Sequence, residues 1–456
     1  MNMSETSTSQ AETGLFEGGI EAQTTSATPT MGEPARGPQN ARTRKPVRGQ
    51  MVMVFDSLDM RLPADHKARA IVQLVEARFD LDSFYAKIKV GPNTAGRTAT
   101  DPGVMAALWL LAYSDAVTSA REIERLCGEH DAYRWICGGQ PVNYHTLSDF
   151  QRDNGPLVDE LFASTIAALV DSGLVSLEAV SIDGTRCRAS AGLKSFRKAD
   201  RLREFHQEAK EHLAKLKAQP PEEVSARKAA AQLRAARERE TRLAAALEAV
   251  AEIAEKRESK GESEEKVKAA RASMTDPECR IMKMQNGGRN PGFNVQIGTD
   301  NATKIPVAVD VIASSADQGT ANEMVWKVEE TAGKKPESVM IDSGFMKRDD
   351  MEEIASDDIK IFIPVDQNGI TPEAQKNDGP GMTAIKALMA TQEGKDAYRQ
   401  RAAAAELTNA ECVRRGMKSF QVRGLRGAQT VATLTVLSVV AMRVAAQFPD
   451  WLWGTG

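Results

Sequence analysis

Two short stretches decide how this chain is read: VSIDGT at residues 180–185 and VMIDSG at residues 339–344. Each is a run of strand-forming apolar residues that ends in an aspartate and a small, turn-forming tail. Side chains at the end of a strand emerge at the rim of a sheet. If the two strands lie side by side, Asp183 and Asp342 meet there although they are far apart in the chain. Taken alone, each aspartate is as compatible with a plain strand end as with one half of an acidic site.

The stretches around them supply the rest of a sheet. Phe293, Val295 and Ile297 alternate, Asp300–Asn301 turns the chain, and Ile305, Val307, Val309 and Val311 alternate again, which predicts a β-hairpin. A helix (TANEMVWKVEETAG, 320–333), a strand (ESVMID, 337–342), a helix (KRDDMEEIA, 347–355) and a strand (KIFIPV, 360–365) follow. A polar stretch covers 366–381, with a helix around 395–415 after it. The fold class expected is α/β, a mixed sheet flanked by helices.

Residues 1–50 are rich in Thr, Ser, Gly, Gln and Pro without apolar periodicity and read as a disordered tail, basic towards its end (ARTRKPVRG). Residues 51–175 read as helical. Asp101 is placed to cap a helix with Pro102 at its first turn, and Ser119 with Glu122 has the spacing of a capping box. Short helices joined by tight turns suit a helix-turn-helix, in which His145, Ser148 and Arg152 would face DNA. A plain helical bundle fits the pattern equally well.

Between residues 194 and 275 the chain is charged and helical, with 20 Lys or Arg against 15 Asp or Glu. Pro220–Pro221 divides it into an antiparallel pair. Its mixed charge is mostly a solvated face, though the cationic excess suits a phosphate backbone. TVATLTVLSVVAMRVAAQF at 430–448 is nearly long enough to span a membrane, but Arg443 and its small polar residues point to a buried C-terminal helix.

Composition narrows the chemistry. Of 456 residues, 41% are hydrophobic and 27% charged, as in soluble globular proteins. Five scattered cysteines without a C-x-x-C pair speak against a disulfide framework or a zinc site, and five histidines leave little material for histidine-based catalysis. There is no phosphate-binding P-loop and no dinucleotide fingerprint. GGRNPG at 287–292 matches no phosphate cradle and reads as a mobile loop. Carboxylates remain. Two in one site repel unless a hard cation such as Mg²⁺ lies between them, and a third allows two ions to work on a phosphodiester. Tyr398, Ala402 and Glu406 follow one another at four-residue steps on the 395–415 helix, with Arg399 and Arg401 near enough to reach phosphate oxygens.

These residues together resemble a bacterial insertion-sequence transposase of the DDE class, with a ribonuclease-H-like catalytic core. HDAYRWICGGQPVNYHTLSDF (130–150) resembles the helical DNA-binding region of that family, and VSIDGTRCRASAGLKSFR (180–197) the segment of its first aspartate. DPECRIMK (276–283) and GGRNPGFNVQIGTD (287–300) resemble the approach to its second and third strands. VMIDSGF (339–345) resembles the segment of the second aspartate, with Phe345 where tyrosine is usual. YRQRAAAAELTNAECVRRG (398–416) resembles the final helix with its Tyr, Arg and Glu signature.

The resemblance implies that Asp183, Asp342 and Glu406 are the catalytic, metal-binding triad, served by Mg²⁺ with Mn²⁺ as a substitute. Tyr398, Arg399 and Arg401 would then assist at the DNA backbone. Four residues separate Arg401 from Glu406 where the usual signature has three, so Glu411 is an alternative third carboxylate; Arg414 takes the place of the signature's lysine. The implied arrangement is a helical DNA-binding domain (51–175), a core (176–193 and 276–425), a helical insertion (194–275) and a C-terminal helix (426–456). The implied protein binds terminal inverted repeats and target DNA, acts as at least a homodimer in synapsis, and is cytoplasmic and nucleoid-associated, with no membrane partner. A relative that has lost catalysis and acts as a repressor or architectural protein is the alternative.

Overall fold

The computed structural model describes residues 56–454 apart from 92–94, 97, 219–225, 366–374, 376 and 377. The 1–50 tail, the proline pair and most of the polar stretch at 366–381 therefore lie outside the described residues. Six strands form one curled, mixed sheet: β1 (Val180–Arg188), β2 (Arg280–Lys283), β3 (Arg289–Asp300), β4 (Pro306–Ile312), β5 (Ser338–Ile341) and β6 (Lys360–Phe362). β4, β3, β1, β5 and β6 lie side by side in that order, and β2 shares the outer edge of β3 with β4. β1, β3 and β4 are antiparallel neighbours; β5 and β6 run parallel to β1.

The hairpin at Asp300 forms as expected, and its turn is held by Asp300, whose Oδ2 accepts from the Thr303 backbone N–H (2.8 Å) and hydroxyl (2.7 Å). Its alternation, however, does not mark one wet face. β3 is buried at every position from Pro291 to Asp300, because helices cover both sides of the sheet. GGRNPG is no free loop either. Its glycines make the turn joining β2 to β3, closed by the Met284 N–H on the Gly288 carbonyl (2.7 Å), and Arg289 already belongs to β3.

The N-terminal helices are α1 (Lys67–Arg78), α2 (Pro102–Ser114), α3 (Ala120–Glu129), α4 (Asp131–Ile136), α5 (Tyr144–Asp153) and α6 (Gly155–Asp171). α2 starts as the sequence suggests: Asp101 Oδ1 accepts from the Gly103 and Val104 N–H groups, with Pro102 in the first turn. The capping box at α3 does not form. Ser119 makes no side-chain cap, and Glu122 turns to Arg125 one turn on, whose Nε donates to it at 3.0 Å. An ion pair within the helix has taken the carboxylate that the cap needed.

Beyond the sheet's first strand, α7 (Ala199–Ala218) and α8 (Ala226–Ser259) pack together around their own small core of Leu202, Ala209, Leu243, Ala246, Ala249 and Val250. The longer helices that follow are α9 (Ala321–Ala332), α10 (Arg348–Ser356), α11 (Pro380–Ala390), α12 (Gln392–Cys412) and α13 (Leu425–Gln447). α11 was not expected; Pro380 at its first turn opens it directly behind the polar stretch.

α13 is long and apolar enough to cross a membrane by composition, but 83% of its apolar stretch is buried inside the protein. It packs on α1, α2, α5 and α6 and on β4, so one hydrophobic core runs from the N-terminal helices into the sheet. Arg443 sits in this helix, donates to the Thr408 hydroxyl at 3.0 Å and pairs with Glu411, which explains a charge in an otherwise apolar run.

Two carboxyls in this core region carry a pH signature. Burial raises the pKa of Asp159 on α6, which accepts from the Thr433 hydroxyl at 2.7 Å, and of Asp310 on β4. A carboxyl with a raised pKa binds its proton more tightly in the folded state. Its contribution is therefore most favourable at acid pH, and stability falls as pH rises from the unfolded pKa through the folded one. Asp159→Asn keeps an acceptor for Thr433 and removes the charge. Its Tm should exceed the parent's at pH 7, with the gap closing towards about pH 4, the ordinary carboxylate range. Equal gaps at both pH values would contradict this.

Candidate active site

The register of β1 on β5 is the feature that builds the site. The two strands are parallel, with Val180 beside Val339, Ser181 beside Met340 and Ile182 beside Ile341. One further step along both strands brings Asp183 and Asp342 next to each other, where β5 ends and Asp342 becomes the cap of a short 3₁₀ turn. VSID and VMID thus lie residue against residue. Their isoleucines point into the core. Asp342 comes out where β5 ends, but Asp183 ends no strand: β1 runs on to Arg188 because β3 pairs with it along its whole length, so Asp183 lies within β1 where its pairing with β5 stops.

Asp342 is half-buried and accepts from the Ser343 N–H at 2.7 Å. Asp183 is held more fully. Its Oδ1 accepts from the Gly184 N–H (2.9 Å) and faces Arg401 Nη2 (3.1 Å), and its Oδ2 accepts from Asn409 Nδ2 (3.0 Å). Burial pushes the Asp183 carboxyl above the usual range; Arg401 and the Gly184 N–H pull it down, and the negative charges of Asp342 and Asp317 push it up again. Tyr398 lies in the same field. Burial raises its phenol first, Arg401 opposes this, and Asp342 and Asp183 add to the rise.

Asp317 was not foreseen from sequence. It follows β4 in a loop, where its Oδ1 accepts from Asn294 Nδ2 (2.6 Å) and Gln296 Nε2 (3.3 Å), and Arg186 Nη2 lies 3.8 Å from Oδ2. Gly184 makes room for it: a Cβ there would stand 2.6 Å from Asp317 Oδ1. Asn409 was also missed. α12 buries Ala404, Ala405, Thr408, Asn409 and Cys412 against the sheet, and Asn409 is the member of that face that can donate to Asp183.

Glu406 lies one residue past Ala405, about 100° round the helix, and is exposed. Glu411 is engaged with Arg443 Nη2 at 3.2 Å. Among the described residues, no three Asp, Glu, His or Cys side chains gather closely enough to hold a metal ion. Arg399 is exposed and paired with Asp396 at 2.5 Å, and Arg414 is exposed on the π-helical turn Val413–Met417 that follows α12.

On α5, His145 and Arg152 are exposed and Ser148 is half-buried, so the three share an outward face. Arg152 is flanked by Asp149 and Asp153, each 2.8 Å from its guanidinium. Arg121 stacks over the Tyr144 ring at 5.0 Å and adds a second cation beside the start of that helix.

Two families match this chain. A family described as Transposase domain (DUF772) matches residues 56–153, the N-terminal helices through α5. A family described as Transposase DDE domain matches residues 260–440, from just past α8 into α13. These two matched stretches are consistent with a DDE-type insertion-sequence transposase. DNA is the partner that such domains imply, and transposition the activity, in a family that generally uses divalent metal ions. No curated protein and no solved structure matches the chain. Asp342 and Glu406 fall within the second match; Asp183 and the α7–α8 pair lie before it, so the first aspartate rests on the register of β1 alone.

Proposed function

We propose that this transposase binds the terminal inverted repeats of its own element, cleaves the phosphodiester there with Mg²⁺, and directs the freed 3′-hydroxyl at target DNA. The single observation that carries the reading is the parallel register of neighbouring strands, one step beyond which Asp183 in β1 lies beside Asp342 at the end of β5. A sheet of three antiparallel strands continued by two parallel ones, with the aspartates on its first and fourth sheet strands in chain order when β2 is set aside, supports a ribonuclease-H-like core.

The donor set suits a hard divalent cation: two adjacent carboxylates whose charges oppose one another, with the buried amide oxygen of Asn409 left without a hydrogen-bond partner among the described residues. Asp183 and Asp342 would hold the ion, with Glu406 completing the site once DNA is bound. When bound, Mg²⁺ supplies Lewis acidity and lowers the pKa of a coordinated water. The chain's own side chains do the rest. Arg401, Arg399 and Arg414 hold phosphate oxygens, and Tyr398 packs beside the scissile position. His145, Ser148 and Arg152 set the helical region on the repeat. Synapsis of two ends calls for a homodimer, and a DNA-bound protein of this kind is cytoplasmic and nucleoid-associated.

Glu406 lies exposed, and this favours a second reading, a DNA-binding relative without catalysis. One assay separates them. A labelled duplex carrying the repeat that flanks the gene should be nicked in Mg²⁺ and left intact with EDTA. Salt-sensitive binding with no cleavage in Mg²⁺ or Mn²⁺ selects the second reading.

A further inference from the structure

Both oxygens of the Asp183 carboxylate are already taken by the protein. Gly184 N–H and Arg401 Nη2 fill the Oδ1 side, and Asn409 Nδ2 fills Oδ2. A cation approaching Asp183 therefore meets a guanidinium that carries the same sign of charge at the position it needs. Arg401 is well covered, with 11% of its side chain exposed, and Asp183 with 22%. In such a setting an unbalanced carboxylate is costly, and a nearby cation is what relieves it.

The hold is incomplete, though. Arg401 Nε is buried with no hydrogen-bond partner among the described residues, and so is Asn409 Oδ1. Arg401 also lies against the Tyr398 phenol, but with its Nε unpartnered the guanidinium is poised for a better acceptor. Phosphate offers one: its oxygens take a guanidinium in bidentate fashion, which a single carboxylate oxygen here does not.

We propose that Arg401 is a counter-ion latch on Asp183, displaced when its guanidinium moves to a DNA phosphate, so that DNA binding and divalent-cation binding favour one another. The inference rests on reading Asp183 as a cation ligand. Coupling of this kind is reciprocal: DNA tightens the cation by the same factor as the cation tightens DNA. It keeps the protein short of bound cation until a phosphodiester is in place. Neutral Gln at position 401 removes the competing charge while keeping a polar side chain of similar shape.

The test is calorimetric titration of the full-length protein with Mn²⁺, without and with a short mixed-sequence duplex. Without DNA, Arg401→Gln should bind Mn²⁺ at least about tenfold more tightly than the parent, the usual effect of removing a like charge from beside a ligand. The duplex should tighten Mn²⁺ for the parent and leave Arg401→Gln unchanged. Equal or weaker Mn²⁺ binding by Arg401→Gln overturns the latch. Parent protein whose Mn²⁺ affinity ignores the duplex overturns it too, and this arm stands even if the variant does not fold. Asp183→Asn separates the latch from its premise: if Asn at 183 binds Mn²⁺ as the parent does, Asp183 is no ligand and the underlying reading fails.

Discussion

Asp183→Ala and Asp342→Ala should each reduce Mg²⁺-dependent cleavage of an element end by roughly a thousand-fold or more, equivalent to about 4 kcal/mol of transition-state stabilisation. Both variants should still bind the same duplex. The expectation follows from the register of β1 on β5, which makes the two carboxylates neighbours in a single rim site. Removing either leaves one carboxylate to do the work of two. The effect should not be additive: the double variant should be no worse than the poorer single one, because residues that act as a unit fail together. Asp342→Ala cutting as well as the parent would mean that the second strand end is a turn residue and nothing more. Asp342 is half-buried at the end of β5 and can be removed at little cost to folding, whereas Asp183→Ala strips the covered Arg401 of its counter-ion, so its Tm is measured beside its cleavage.

The second large effect is on stability. Trp109→Ala should destabilise the protein by about 3–5 kcal/mol, the cost of deleting a large buried aromatic and leaving a cavity. Trp109 on α2 is 1% exposed, stacks on Tyr113 with ring centroids 5.4 Å apart, and donates from Nε1 to the Leu147 carbonyl at 3.1 Å. That carbonyl belongs to α5, between His145 and Ser148. The variant should therefore lose DNA affinity together with stability, because the indole fixes the helix that carries the outward-facing polar residues. α13 packs on both α2 and β4, so thermal unfolding should remain one transition rather than two. A lowered Tm for a first, separate transition, with the second unchanged, would contradict the shared core.

The sheet was readable because its signals are local. Alternation at Phe293–Ile297 and Ile305–Val311, and the matching VSID and VMID runs, state strand positions without reference to anything else, although β1 does not end at Asp183 as its GT tail suggests. Even the pairing of the two aspartates could be anticipated from their like contexts. What could not be read depends on which partner wins. Ser119 and Glu122 have the spacing of a capping box, yet Arg125 captures the glutamate. GGRNPG is rich in glycine, yet β2 and β3 turn it into a hairpin.

The last helix shows the same limit at the site itself. Four-residue steps from Tyr398 single out Glu406, but burial follows the row Ala405, Thr408, Cys412, which places Asn409 on Asp183. The run of alanines at 402–405 gives no sign of which side faces the sheet, since alanine fits either. Asp317 had no signal beyond being a loop aspartate. Its importance comes from Gly184, whose missing side chain lets the carboxylate approach β1.

The central claim is that Asp183 and Asp342 share one cation. Crystals of the protein with an element end and Mn²⁺, measured at the manganese absorption edge, test it most directly. An anomalous peak is expected in coordination distance of both carboxylates, with the Arg401 guanidinium moved onto a phosphate. A peak touching neither aspartate, in a complex whose DNA end lies at the β1–β5 rim, would contradict it.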